Sequence, residues 1–198
     1  MPSRKLEFWF SYGSTYTYLT VMRIGPLAEA NQVEILWRPF NLIDYFRRYD
    51  LHPFQNRPER MAYMWRDIER RAMRHGLEYK QSLRYPIDTQ PVVRVGHLAS
   101  LEGWCEDFTR RAFETNFLEQ KPLDDEGVLG GILQDIGRDP DKTIERAHEQ
   151  DIEEAVAQRT EEAIKDGMFG SPNFVVDGEL FWGDDRLEDA LDWAIGKV

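Results

Sequence analysis

The sequence predicts an α/β fold in which a βαβ unit at the start and a ββα unit at the end are separated by a large all-helical insertion. Three observations carry this. Strand-patterned segments occur only near the two ends of the chain. Residues 57–165 between them read mostly as helix. Near the end, Asp177-Gly178 sits between two short apolar and aromatic runs, a strong two-residue hairpin signal. The expected partition is a sheet-bearing domain of residues 1–40 and 167–198, with residues 41–166 forming the helical insertion domain and a connecting helix.

Each element has its own warrant. KLEFWFSY at residues 5–12 alternates and is aromatic, as a strand should be. Gly13-Ser14-Thr15 breaks it, and apolar residues then recur with helical spacing at Tyr18, Leu19, Met22, Ile24, Leu27 and Ala28. VEILWRP at residues 33–39 is a second strand closed by proline, and a βαβ unit of this length favours a parallel pair. The helical stretch is interrupted at residues 85–91, at Lys121-Pro122 and at residues 137–140. LDDE at 123–126 and PDKT at 140–143 place carboxylates where a helix N-terminus is positive. A further helix over residues 152–166 ends at Gly167. Strands NFVV and ELFW flank the hairpin turn, and Asp184-Asp185-Arg186-Leu187-Glu188 opens a last helix through Trp193 and Ile195.

Composition narrows the function classes. At 198 residues, 41% hydrophobic and 31% charged, the chain is ordinary for a soluble globular protein, and no apolar run is long enough to cross a bilayer. The first residues show no signal-peptide pattern, so a cytoplasmic location is the expectation. A net charge of −11 repels phosphate backbones and anionic lipid, which argues against nucleic acid or membrane partners. The arginines nevertheless gather in the first half, at positions such as Arg47, Arg48, Arg57, Arg60, Arg66, Arg70, Arg71, Arg74 and Arg84. Most read as the wet face of an acid–base helix, and a minority would suit an anionic substrate. A single cysteine, Cys105, excludes an intramolecular disulfide or a C-x-x-C centre. It reads as a half-buried helix residue, its pKa raised by two neighbouring carboxylates. The four histidines, His52, His75, His97 and His148, show no metal-ligand spacing.

Three places can carry chemistry. Ser14, on the turn into the first helix, is either a plain N-cap or a hydroxyl placed to stabilise an anion or thiolate at the positive helix end. Ser171-Pro172, just before a strand, is either an edge-strand start or a cis proline whose preceding residue turns its backbone toward a ligand. Asp184 and Asp185 open a helix, where Asp185 with Glu188 fits a variant of the capping box, or a carboxylate receives a ligand's ammonium group.

The order of these features resembles a known family. FSYGSTYTYL at residues 10–19 is similar to the F-D-F-x-S-P-Y-S-Y-L opening of 2-hydroxychromene-2-carboxylate isomerases and kappa-class glutathione transferases. GMFGSPNFVVDGELFWGDDRL at 167–187 resembles their G-V-F-G-V-P-T-F-V-V-D-G-E-x-F-W-G-x-D-R-L. YMWRD at 63–67 and YPIDT at 85–89 resemble their Y-x-x-x-D and F-P-x-N-T elements, so the likeness spans nearly the whole chain.

The resemblance implies a DsbA-like thioredoxin fold and a glutathione-dependent isomerase of an aromatic-catabolism intermediate. Ser14 then stands where the hydroxyl hydrogen-bonds the glutathione sulfur. Pro172 matches the cis proline, Ser171 the residue pairing with the cysteinyl backbone, and Asp184 and Asp185 the γ-glutamyl end. A small aromatic, carboxylated substrate and a homodimer are further implications. There are departures from the pattern. Ser11 replaces an Asp, Thr15 a Pro and Asp88 an Asn, and Asp50-Leu51-His52-Pro53 lacks the family's glutathione-binding Asn. Two alternatives stay open: a kappa-like transferase, in which the thiol stays on the product, and a non-catalytic thioredoxin-fold adaptor that keeps the groove for peptides.

Overall fold

The computed structural model describes residues 4–197. Its central strand is β1 (Lys5–Phe10), and the alternation in KLEFWF sorts its side chains between two apolar clusters. Leu6, Phe8 and Phe10 join the larger one, while Trp9 packs with Phe40, Leu42, Ala163 and Met168 in the smaller. Apolar residues therefore cover β1 on both faces. β2 (Glu34–Pro39) runs parallel to it, as the connecting helix predicts. On its other side lies β3 (Asn173–Val176), antiparallel, followed by β4 (Glu179–Trp182). The sheet order is β2-β1-β3-β4. Asp177 and Gly178 turn the hairpin with φ of 50° and 86°, the positive pair that such a short loop needs.

Helix α1 (Thr15–Asn31) begins at Ser14, whose Oγ accepts from the Thr17 amide. The central region folds into α2 (Leu42–Arg48), α3 (Pro58–Arg74), α4 (Gln90–Glu102), α5 (Cys105–Phe117), α6 (Glu126–Asp135), α7 (Pro140–Ala147) and α8 (Gln150–Lys165). The expected break at Lys121-Pro122 falls between α5 and α6, and the other two run up to the first residues of α4 and α7. Asp125 caps α6 through the Gly127 and Val128 amides, and Asp139 caps α7 through Lys142, as the acidic helix starts suggested. A 3-10 turn at Asp184–Arg186 leads into α9 (Leu187–Ala194).

Two expectations need correction here. Asp185 and Glu188 form no capping box: Asp185 accepts from Arg186, Glu188 pairs with Arg23, and neither side chain caps α9. Nearby arginines offer both carboxylates a stronger partner than a backbone amide. Cys105 is buried rather than half-buried, at 4% exposure. Burial is the main reason its thiol is pushed up to about 12, with Glu106 adding to it.

A run of rings ties the sheet to the helical region. Phe8 stacks on Phe10 at 4.7 Å between centroids, Phe10 meets Tyr12 at 5.3 Å, and Tyr12 stacks on Phe113 of α5 at 5.7 Å. Phe113 continues to Phe117, which meets Tyr18 of α1 at 5.1 Å. The Tyr12 phenol is held by Thr109 Oγ1 at 2.8 Å and lies on Gly96 of α4, where an added Cβ would stand 2.7 Å from the ring's Cζ. Gly96→Ala gains up to about 1 kcal/mol of helix propensity but overpacks a fixed ring at a cost of about 1–3 kcal/mol. The expected result is a lower denaturation midpoint at unchanged m-value.

Candidate functional site

The turn between β1 and α1 and the segment before β3 meet at Ser171. The Ser171-Pro172 peptide is cis, and a second cis peptide, Tyr85-Pro86, lies in the loop before α4. Ser14 Oγ donates to the Ser171 carbonyl at 2.8 Å. The Ser11 amide donates to Ser171 Oγ at 2.8 Å, and Thr17 Oγ1 lies 2.9 Å from the same hydroxyl. Ser14 caps α1 through the Thr17 amide, and its proton is directed at the backbone of the residue before Pro172.

Ser171 lines a cleft of about 380 Å³, a volume suited to a small ligand. Tyr16 of α1, Phe54, and Tyr63 and Met64 of α3 supply much of its apolar surface, and Trp182 at the end of β4 faces it, half-exposed. The Trp182 ring sits over Gly170, where a Cβ would come 3.0 Å from the indole Cε2. Tyr16 is fixed by donating from its phenol to Asp67 Oδ2 at 3.0 Å. Burial, and then Asp67, raise its pKa, so it stays a neutral donor. Polar groups close the cleft: Arg60, and Asp184 and Asp185 beyond Gly183. Gly183 has φ of 112°, a backbone conformation that favours glycine.

The two aspartates are not equivalent. Asp184 is 2% exposed and its Oδ2 accepts from Arg71 Nε at 2.9 Å and Nη2 at 2.6 Å. Burial raises its pKa against the opposing pull of Arg71. Asp185 is exposed. The small burial it has works against its charge, but hydrogen bonding and attraction from Arg186 leave its carboxyl below the ordinary range. Asp185 thus keeps an exposed carboxylate paired only with the surface Arg186, whereas Asp184 is buried against Arg71.

The structure brings Ser14, Ser171 and Pro172 together and sets Ser171, Asp184 and Asp185 along one cleft. The departures from the family pattern fall elsewhere. Asp88 accepts from the Gln90 amide at the start of α4 and does not line the cleft. Residues 50–53 do not line it either, and the neighbouring Phe54 does. Sequence reasoning missed Arg71 as the partner of Asp184, the tie from Ser171 Oγ to the Ser11 amide, and the aromatic wall of Tyr16, Phe54 and Trp182. Tyr16 and Trp182 entered only as parts of strand and family patterns, and Phe54 not at all.

The model of the DsbA-like thioredoxin domain matches residues 5–193. The chain belongs to the DsbA-like thioredoxin family. Among its relatives, the 2-hydroxychromene-2-carboxylate isomerase of Sphingobium xenophagum is 24% identical over 192 residues, covering 94% of this chain and 95% of that one. Glutathione S-transferase kappa 2 of Caenorhabditis elegans is 24% identical over 209 residues, covering 98% and 93%. A solved structure of 2-hydroxychromene-2-carboxylate isomerase superposes with a TM-score of 0.86 at 20% identity, over 98% of this chain and 95% of that one. This DsbA-like protein therefore has the complete thioredoxin fold of its family. Its one cysteine lies on α5, away from the Ser14 turn.

Proposed function

We propose that this protein is a glutathione-dependent isomerase of a conjugated aromatic-catabolism intermediate, resembling 2-hydroxychromene-2-carboxylate isomerase. The observation that carries the reading is the Ser14 hydroxyl at the N-terminus of α1, 2.8 Å from the carbonyl of Ser171, which lines an apolar cleft with polar ends. The donor set fits glutathione. Asp185 offers a carboxylate to an ammonium group, Arg60 offers a guanidinium to a carboxylate, and Ser14 offers a hydroxyl. The names of the two relatives, an isomerase and a glutathione transferase, support the same class.

When bound, glutathione supplies a thiolate that adds reversibly to a conjugated carbon and leaves once the adjoining C–C bond has turned, so atoms and electrons balance without an oxidant. The residues' part is positioning and electrostatics. Ser14, whose proton goes to the Ser171 carbonyl here, would turn it to a bound sulfur, and the α1 N-terminus would add its partial positive charge. Tyr16, Phe54 and Trp182 exclude water and offer flat apolar surface to an aromatic substrate.

The test is a thermal-stability titration with glutathione, with oxidised glutathione and cysteine as controls. Binding to the folded state alone raises stability by about 2.7 kcal/mol at a hundredfold excess over Kd. A saturable shift that weakens in Asp185→Ala is the expected outcome, and no shift at millimolar glutathione would remove the reading. The relation to a kappa transferase, also at 24% identity, favours one second reading, conjugation. A thioether conjugate found by mass spectrometry after incubation with an aryl halide would favour it over isomerisation.

A further inference from the structure

A second cleft, of about 300 Å³, adjoins the first, and Asp185 lines both. Its walls are Arg23 of α1, Arg71 and Arg74 with His75 at the end of α3, and Arg186 of the 3-10 turn. Four guanidinium groups face two lining carboxylates, Asp185 and Glu188. Counting the buried Asp184 behind Arg71 and Asp189 on Arg186 brings the cluster to formal neutrality, in a chain whose net charge is −11. A neutral, arginine-lined cleft in an otherwise acidic chain is where an anion meets least repulsion.

The pairing leaves one guanidinium group without a carboxylate among the described residues. Arg23, only 10% exposed at its side chain, binds Glu188 and donates from Nη1 to His75 Nε2 at 3.2 Å. Accepting that bond fixes His75 as a neutral imidazole protonated on Nδ1. Arg71 is committed to Asp184, and Arg186 to Asp185 and Asp189. Arg74 makes no ion pair with any described residue. Burial, and then the repulsion of Arg71 and Arg74 against the pull of Asp184, lowers the pKa of Arg23. Burial and the same three arginines lower that of His75. An added anion would relieve both.

We propose that this cleft is a binding site for a phosphomonoester-class dianion, separate from the thiol cleft. A planar carboxylate is satisfied by the fork of one arginine. Here guanidinium groups arrive from α1, from α3 and from the 3-10 turn, which suits the tetrahedral arrangement of phosphate oxygens. The cleft is also larger than a lone phosphate needs, leaving room for the group that carries it.

The experiment is isothermal titration of the full-length protein with inorganic phosphate and with glycerol 3-phosphate, in chloride buffer at constant ionic strength. Saturable binding is expected, weakened about tenfold by Arg74→Ala, since one charge-assisted contact is lost. Because Arg74 holds no ion pair, that variant should keep the wild-type melting temperature and circular dichroism. No saturable heat beyond a chloride control, or equal affinity in Arg74→Ala, would overturn the site. Displacement of phosphate by glutathione would overturn its separateness, by showing that the thiol ligand's own anionic end fills the cleft. Phosphate is titrated without glutathione, so a negative result here leaves the thiol reading untouched.

Discussion

Ser14→Ala is expected to lower glutathione-dependent turnover about 100-fold, the usual scale for removing one preorganised donor to a developing anion. It is also expected to lower stability by about 1 kcal/mol, because the same oxygen caps α1 through Thr17. The two losses are separable. Ser14→Asn keeps a side-chain acceptor for the helix amide but lacks the hydroxyl, so stability should recover while turnover does not. Ser14→Thr retains both functions where its methyl is tolerated. A readout independent of substrate is the ultraviolet absorbance of bound thiolate, which should appear with wild type near neutral pH and require higher pH with Ser14→Ala. If Ser14→Ala and Ser14→Asn turn over glutathione-dependent substrate at the wild-type rate, Ser14 is a cap and nothing more.

Arg71→Leu is the substitution with the largest expected effect on stability, about 3 kcal/mol, because it leaves the carboxylate of Asp184 buried without its partner. Its pH dependence identifies the cause. The folded-state pKa of Asp184 already lies above its ordinary value, through burial opposed by Arg71. Between those two values the native state holds more protons than the unfolded chain, so stability falls as pH rises through that window. Without Arg71 the folded pKa climbs further and the window widens upward. The variant should therefore regain stability on acidification, relative to wild type, as Asp184 becomes a neutral acid. A destabilisation independent of pH would assign the loss to packing instead. Asp184→Asn in the Arg71→Leu background should recover part of the difference near neutral pH.

These two residues show what the sequence allowed. Ser14 was legible because a turn between a strand and a helix has a recognisable grammar, and its role as cap follows from local geometry alone. The hairpin at Asp177-Gly178 was legible for the same reason, since positive φ at both central residues restricts the residue types. Arg71 was not legible. It looks like one more charge on the wet face of α3, and the carboxylate it binds lies 113 positions away. Asp185 and Glu188 failed in the opposite direction: the local pattern suggested a cap, and Arg186 and Arg23 outcompeted it. Cys105 failed because its burial is decided by Tyr12 and Gly96, which the fold brings onto the face it shares with Thr109 one helical turn on.

The run of rings from Phe8 through Tyr12 and Phe113 to Tyr18 has a mechanical consequence. α5 cannot swing as a lid over the thioredoxin sheet, because any such rotation would unstack several aromatic contacts at once and draw Tyr12 off Thr109. α3, which forms one wall of the cleft, is pinned at two further points, by Tyr16 to Asp67 and by Arg71 to Asp184. The two walls of the cleft thus behave as one stiff body. A ligand arrives at a shape already set, with side-chain rotation at exposed Tyr63 and Trp182 as the adjustable part, and little of its binding energy is consumed in closing the protein around it.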